Sequence, residues 1–309
     1  DLFDIDVFDQ KLDSRVKVVA VTGMSNVLGT LPPLDDIVES IGPGNRVHSP
    51  VFDRIGHSRV GEFLQRQGYE YIHLGSWYGP TRESQIADRS LAPADAFTFD
   101  TAMFEVTAFR SVIADIWPDS GFATIHRDAA DYQFTTLEEI IEQPGPKFVF
   151  AHVLLPHDPY VFLEDGTFFP AGATFESQLA YTNSRLMEIL GPLLETPEDE
   201  RPIIILQADE GPFPARYEAE RDDFDWAAAT ESEVTEKFGI LTAMHLPGPE
   251  GAAPLPATIS PMNTFREVLR RYFAADLPYL PDRSFASTNQ RPYDMVEVTD
   301  RFLDEIPAG

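Results

Sequence analysis

Pro202 to Pro214 reads PIIILQADEGPFP, the most informative run of the chain. Ile203 to Leu206 is a short continuous run of branched apolar residues, the pattern of a strand buried on both faces. The run stops at two adjacent carboxylates, Asp209 and Glu210, followed by Gly211. In open α/β sheets ligands bind just beyond the carboxyl ends of the strands. Two carboxylates at that place suit a hard or borderline cation held through oxygen. They equally suit a polar turn, with Asp as a cap and Gly at a special backbone angle.

Two more apolar runs end in the same manner. Lys147 to Phe162 reads KFVFAHVLLPHDPYVF, which predicts a strand over Phe148 to Leu155 followed by Pro156, His157, Asp158 and Pro159. His152 interrupts the run, and a lone histidine in a strand is more often a core residue with a satisfied ring than a ligand. His157 lies past the strand end in a loop stiffened by prolines. There it can donate to an anionic substrate or act as an acid. Tyr69 to Gly75, YEYIHLG, is a third strand, followed by Ser76, Trp77, Tyr78, Gly79, Pro80, Thr81 and Arg82. Trp77 and Arg82 can supply a wall and a cation for an anionic group. The alternative is a buried Trp beside a surface Arg.

The chain has 309 residues, enough for one large α/β domain or two smaller ones and for a sizeable core. Its formal net charge of −28 argues against a nucleic-acid partner, which needs a basic patch, and disfavours docking on an anionic membrane surface. The lysines are Lys11, Lys17, Lys147 and Lys237 alone. The absence of cysteine excludes disulfides, thiolate metal sites and cysteine nucleophiles. No apolar run is long enough to span a bilayer, and no signal peptide is visible. Asp1 stands where a methionine would begin a gene product, so an upstream part is expected.

Strands and helices alternate, which predicts a mostly parallel sheet with helices on both faces. Helices are predicted over Ser58 to Gln67 with Gly68 as the stop, and from Asp100 to Trp117. A capping box of Thr136 and Glu139 predicts a helix start before Ile140, ended by Pro144 and Gly145. The longest helical pattern is Thr174 to Glu195. Gly239 to Leu246 is a fourth strand. Ser260 with Pro261 opens a last amphipathic helix through Phe273. From Ala274 onward the tail is Pro-rich and polar and is expected to wrap over the domain.

YEYIHLGSWYGPTR, KFVFAHVLLPHDPYVF, PIIILQADEGP and SPMNTFREVLRRYF occur in that order. On these motifs the chain from about residue 42 to 283 resembles the sulfatase-like hydrolase/transferase proteins of the alkaline phosphatase superfamily, on the branch related to lipoteichoic acid synthases. The resemblance implies an alkaline phosphatase/sulfatase-like α/β fold, here truncated at its amino-terminal side. It implies metal-assisted transfer of a phosphoryl, phosphoglycerol-type or sulfuryl group from a small anionic ester or a lipid-linked substrate, through a Thr or Ser nucleophile. Asp209 matches the family's strand-end metal acid, and Glu210 stands where many members have His. Such oxygen-rich ligation suits Mn²⁺ or Mg²⁺ better than Zn²⁺. His157 matches the histidine that contacts the transferred group, and Trp77, Arg82 and His152 fall on the substrate side. The parent proteins are extracytoplasmic and membrane-anchored.

Residues 1 to about 38 resemble a different family. DSRVKVVAVTGMSNVLGTLPPLDDIVE looks like an internal piece of a class V aminotransferase-like cysteine desulfurase. That chemistry needs a lysine for pyridoxal phosphate and a cysteine for sulfur; the chain has no cysteine and no suitable lysine, so pyridoxal phosphate is excluded. The segment stands where the sulfatase-like family carries its first-strand acid and its nucleophile. Thr22, Ser25 and Thr30 are hydroxyl residues there, and none matches the nucleophile motif. The expected organisation is therefore a foreign segment, 1–38, joined to a sulfatase-like domain, 39–309. The strand Val16 to Val21 is expected to lack an evolved partner. The expected function is an impaired metal-dependent ester hydrolase or transferase, or a non-catalytic remnant of one.

Overall fold

The computed structural model describes residues 18–22, 56–94, 122–256, 259–288 and 291–301. The apolar runs form the strands of one sheet. These are β1 (Val18–Thr22), β2 (Glu70–Leu74), β3 (Arg89–Leu91), β4 (Lys147–His152), β5 (Ile203–Gln207) and β6 (Thr242–His245), in the order β3-β2-β4-β1-β5-β6. All neighbours run parallel except β6, which is antiparallel to β5. The carboxyl ends of β2, β4, β1 and β5 therefore share one edge. The fold is α/β with a mostly parallel sheet, as the alternation of elements predicts.

Helices cover both faces because alternate strand residues are apolar on both sides. Ile72, Leu74, Val149, Ala151 and Ile204 pack with Phe134, Leu137, Leu186 and Ile189 of α2 (Phe122–Glu142) and α3 (Phe175–Glu195). Tyr71, Phe148, Phe150, Ile203 and Ile205 face the other way. They meet Phe63 and Leu64 of α1 (Arg59–Arg66), together with Phe265, Val268 and Phe273 of the helix Pro261–Phe273. A smaller cluster lies apart from the sheet, where Tyr217, Phe224, Trp226 and Val234 pack with Ala286 and Val298.

Local signals set several boundaries. The Ser58 side chain caps α1 by accepting the Gly61 N–H, and Gly68 follows with φ of +85°. Thr174 and Ser177 make the capping box of α3. Pro261 sits in the first turn of its helix, where a missing N–H costs nothing.

Several expectations need correction. β1 is not an orphan: it is a central strand, with Val18–Thr22 in register with Phe148–His152 on one side and with Ile203–Gln207 on the other. A run of Val and Ala is generic enough to complete any parallel sheet that lacks a middle strand. The Thr136/Glu139 pair does not start a helix but lies inside α2, whose apolar stripe begins well before it. β4 stops at His152, short of Leu155. The tail from Ala274 contains a hairpin, β7 (Phe285–Thr288) with β8 (Arg291–Glu297), that carries part of the smaller cluster. The helix expected from Asp100 to Trp117 lies outside the described residues. Among the described residues no helix is long and apolar enough to cross a membrane.

Candidate functional site at the carboxyl edge of the sheet

Beyond β2 the chain turns at Gly75 and Ser76 into a one-turn helix, Gly79–Arg82. That turn packs so tightly on the strand end that a Cβ on Gly75 would lie 2.0 Å from the Arg82 carbonyl oxygen. Thr81 is fully buried, with its Oγ1 3.0 Å from the Ser76 hydroxyl and 2.5 Å from Nδ1 of His152 at the end of β4. The Thr81 carbonyl meets Nε2 of His73 at 2.9 Å. Arg82 donates to the Pro93 carbonyl at 2.8 Å. Trp77 leaves this turn and packs edge-on against Phe122 near the start of α2. Its Nε1–H donates to Nδ1 of His126 at 3.0 Å.

Beyond β4 the loop bearing His157 is exposed, with His157 Nδ1 3.2 Å from an Asp158 carboxylate oxygen. The loop is held from beneath by Gln178 of α3, which is fully buried. Gln178 donates to the His157 carbonyl at 2.8 Å and accepts the Val161 N–H at 2.8 Å. Gln133 of α2, also buried, donates to the carbonyls of both Gly75 and His152, and so ties the ends of β2 and β4 together. His152 itself is buried, and its ring meets Thr81. That place suits a residue that sets the orientation of its neighbour.

Beyond β5 the chemistry is ionic. Asp209 is half-buried, and its carboxyl is pushed up to about 7 by burial first and by the Glu210 charge second. Glu210 turns towards α4 (Glu231–Phe238), where its carboxylate lies 2.7 Å from Nζ of Lys237. That ammonium is buried over the Phe213 ring, 3.2 Å from its centroid, and also donates to the Gly211 carbonyl. Gly211 is needed for this approach, because a Cβ there would lie 1.9 Å from the Glu236 carbonyl oxygen.

The topology thus brings Trp77, Arg82, His152, His157, Asp209 and Glu210 to one edge of the sheet. Direct links join the first two strand ends: Thr81 to His152, Gln133 to both. Tyr78 connects this side to β5, since its phenol is pushed up by burial and then by the charges of Glu210 and Asp209. β1 stands between β4 and β5, so those two ends are about 10 Å apart, two strand spacings. The register places the end of β1, Thr22, in line with His152 and Gln207.

As a metal centre the described residues fit in part. Asp209 is a carboxyl that a cation would relieve of its neighbour's charge. Glu210 already has a cationic partner in Lys237. Among the described residues no group of three or more His, Asp or Glu side chains gathers around one point.

Sequence reading passed over Thr81, Gln133, Gln178, His126 and Lys237. Two of them carried a signal. His126, Ala130, Gln133, Leu137 and Ile140 recur at helical spacing, so His126 and Gln133 are polar residues on the buried stripe of α2. A polar group there needs a specific partner. Thr81, Gln178 and Lys237 carried none, because their partners come from other elements.

No protein-family model matches the chain, and no curated protein matches it. Among solved structures, the chain is similar to a protein in the alkaline phosphatase superfamily from Vibrio parahaemolyticus. The identity is 12% and the TM-score 0.46, over 90% of this chain and 74% of the other. A likeness this distant assigns no activity.

Proposed function

We propose that this chain is a sulfatase-like hydrolase or transferase of phosphate, phosphoglycerol-type or sulfate esters, dependent on a divalent metal and of low turnover as it stands. The observation that carries the reading is the convergence of three strand ends, β2, β4 and β5, on one edge, each ending in residues suited to an anionic ester. That edge is where open α/β sheets bind ligands.

In this reading Trp77 forms a wall and Arg82 a cation for the ester anion. His157, exposed on a loop anchored by Gln178, donates to a non-bridging oxygen or protonates the leaving group. His152 acts through Thr81, fixing the turn that presents Trp77. Asp209 would hold the cation, Mn²⁺ or Mg²⁺ in preference to Zn²⁺, which would polarise an ester oxygen. Glu210 would join it on release from Lys237. The nucleophile is not assigned; Thr22 stands at the right edge. Residues 1–38 are, in this reading, a segment of other origin that supplies the central strand. The parent is extracytoplasmic and membrane-anchored.

The ion pair of Glu210 with Lys237 favours a second reading, in which the domain binds anionic esters without turning them over. Turnover of a chromogenic phosphodiester and a chromogenic sulfate ester, with and without Mn²⁺, separates the two. Slow Mn²⁺-dependent hydrolysis, abolished in Asp209→Asn and His157→Ala, is the expected result. Anion binding with no hydrolysis above background would leave the second reading. Hydrolysis indifferent to both substitutions would sink the site.

A further inference from the structure

We propose that His126 is a positioning residue of this edge: a neutral imidazole that locks the Trp77 indole against the loop carrying His157. The proposal rests on the reading of Trp77 and His157 as substrate-side residues.

Topology puts His126 there. α2 leads back into β4, so it runs opposite to that strand, and its first turns lie beside the carboxyl edge. Phe122 and His126 are one turn apart and meet the same indole, with ring centroids 4.9 and 5.9 Å from that of Trp77. An indole N–H can only donate. Nδ1 of His126 must therefore be the unprotonated, accepting nitrogen, which leaves the proton on Nε2. His126 is 1% exposed, and Nε2 has no hydrogen-bond partner of good geometry among the described residues. Besides Trp77 and the neighbouring Phe122 ring, the ring is acted on by the charges of His157 and Asp158 and by the His157 backbone, all three on the β4 loop. The ring thus has one nitrogen committed to the β2 side and a buried N–H facing the β4 side. Burial also drives its pKa down to about 4, with the His157 charge adding to the shift, so the ring is neutral at ordinary pH. A protonated ring would set one donor against another at Trp77. A residue needed only to fill space would be an apolar one, since a buried polar group without its partners is costly.

The test uses the full chain labelled with ¹⁵N at histidine and tryptophan. In the native protein His126 should be the Nε2–H tautomer through neutral pH, and the Trp77 indole N–H should exchange slowly with solvent. His126→Leu, which keeps bulk but no acceptor, should speed that exchange. It should also raise KM for the chromogenic ester about tenfold with kcat within about threefold, the pattern of a lost contact made equally in ground and transition states. His126→Asn, which restores an acceptor, should recover most of both, and it serves alone if the Leu variant does not fold. An Nδ1–H tautomer overturns the proposal, and so does an Asn variant no better than Leu. If the native chain neither binds inorganic phosphate nor turns over ester, the reading of the site fails. The proposed role of His126 falls with it, even where the nuclear resonance data confirm the indole contact.

Discussion

The two halves of the carboxyl edge are built on different principles. On the β2–β4 side the strand ends are tied by neutral hydrogen bonds that each involve a buried side chain: Thr81 to His152, Gln133 to two carbonyls, Gln178 to the His157 loop, His126 to Trp77. On the β5 side the contacts are charged, and one group is held uneasily. Asp209 sits beside Glu210 with its carboxyl raised to about 7, and the local cation, Lys237, pairs with Glu210. Neutral hydrogen bonds between buried groups hold their geometry without a ligand. A crowded carboxyl pair changes with pH, metal or substitution. The contrast separates a half whose geometry is set by neutral contacts from a half whose charges answer to pH.

Removing the strand between the halves should have the largest effect. β1 pairs with both β4 and β5, so deleting residues 1–38 should abolish cooperative unfolding, read by urea denaturation and near-UV circular dichroism. A deletion that still unfolds in one sharp transition would mean that β4 and β5 close without β1. Next, Gly75→Ala drives a Cβ to within 2.0 Å of the backbone carbonyl oxygen of Arg82. We expect a loss of about 3–5 kcal/mol, the range of severe core lesions. A loss under about 1 kcal/mol would show that the turn after β2 is looser than described. Gln133→Leu leaves the Gly75 and His152 carbonyls without their buried donor, for an expected cost of about 2–3 kcal/mol.

The charged side should behave oppositely. The folded-state pKa of Asp209 is raised, so its favourable contribution is fully present below the unfolded value of 3.8. That contribution is lost as pH rises through about 7. Asp209→Asn should therefore stabilise the metal-free protein at pH 8, by about 2 kcal/mol after discounting for partial exposure, and change little at pH 4. Saturating Mn²⁺ should stabilise the native chain and not this variant; equal stabilisation would place the cation elsewhere. The smallest effect is expected for Glu210→Gln. Its pair with Lys237 is partly open to water, so stability should shift by less than about 1 kcal/mol. The Asp209 carboxyl should titrate lower once its neighbour's charge is gone, which carboxyl-detected nuclear resonance would follow.

Three strand ends were legible in the sequence because an apolar run that stops at polar chemistry needs no partner to be recognised. The alternation of strands and helices gave the parallel sheet for the same reason. Asp209 was legible as an acid at a strand end, but its raised pKa was not, since that depends on burial. Glu210 read as a second ligand from its adjacency to Asp209 and from the family resemblance; Lys237, 27 residues on, comes beside it only when α4 packs behind the loop. His152 was open to two readings, and its contact with Thr81 comes from another strand end.

What the sequence determined by itself was local: runs, caps, the Ser58 and Thr174 starts, the Pro261 turn, the absence of thiol chemistry. These depend on residues a few positions apart. Strand order, by contrast, was decided in three dimensions. Nothing in Val18 to Thr22 says that it lies between β4 and β5, because a Val-rich strand fits any gap between two parallel neighbours. The same holds for Trp77 with His126 and for Glu210 with Lys237. Each pair is fixed by which helix covers which strand end, and that choice is made by packing the whole sheet.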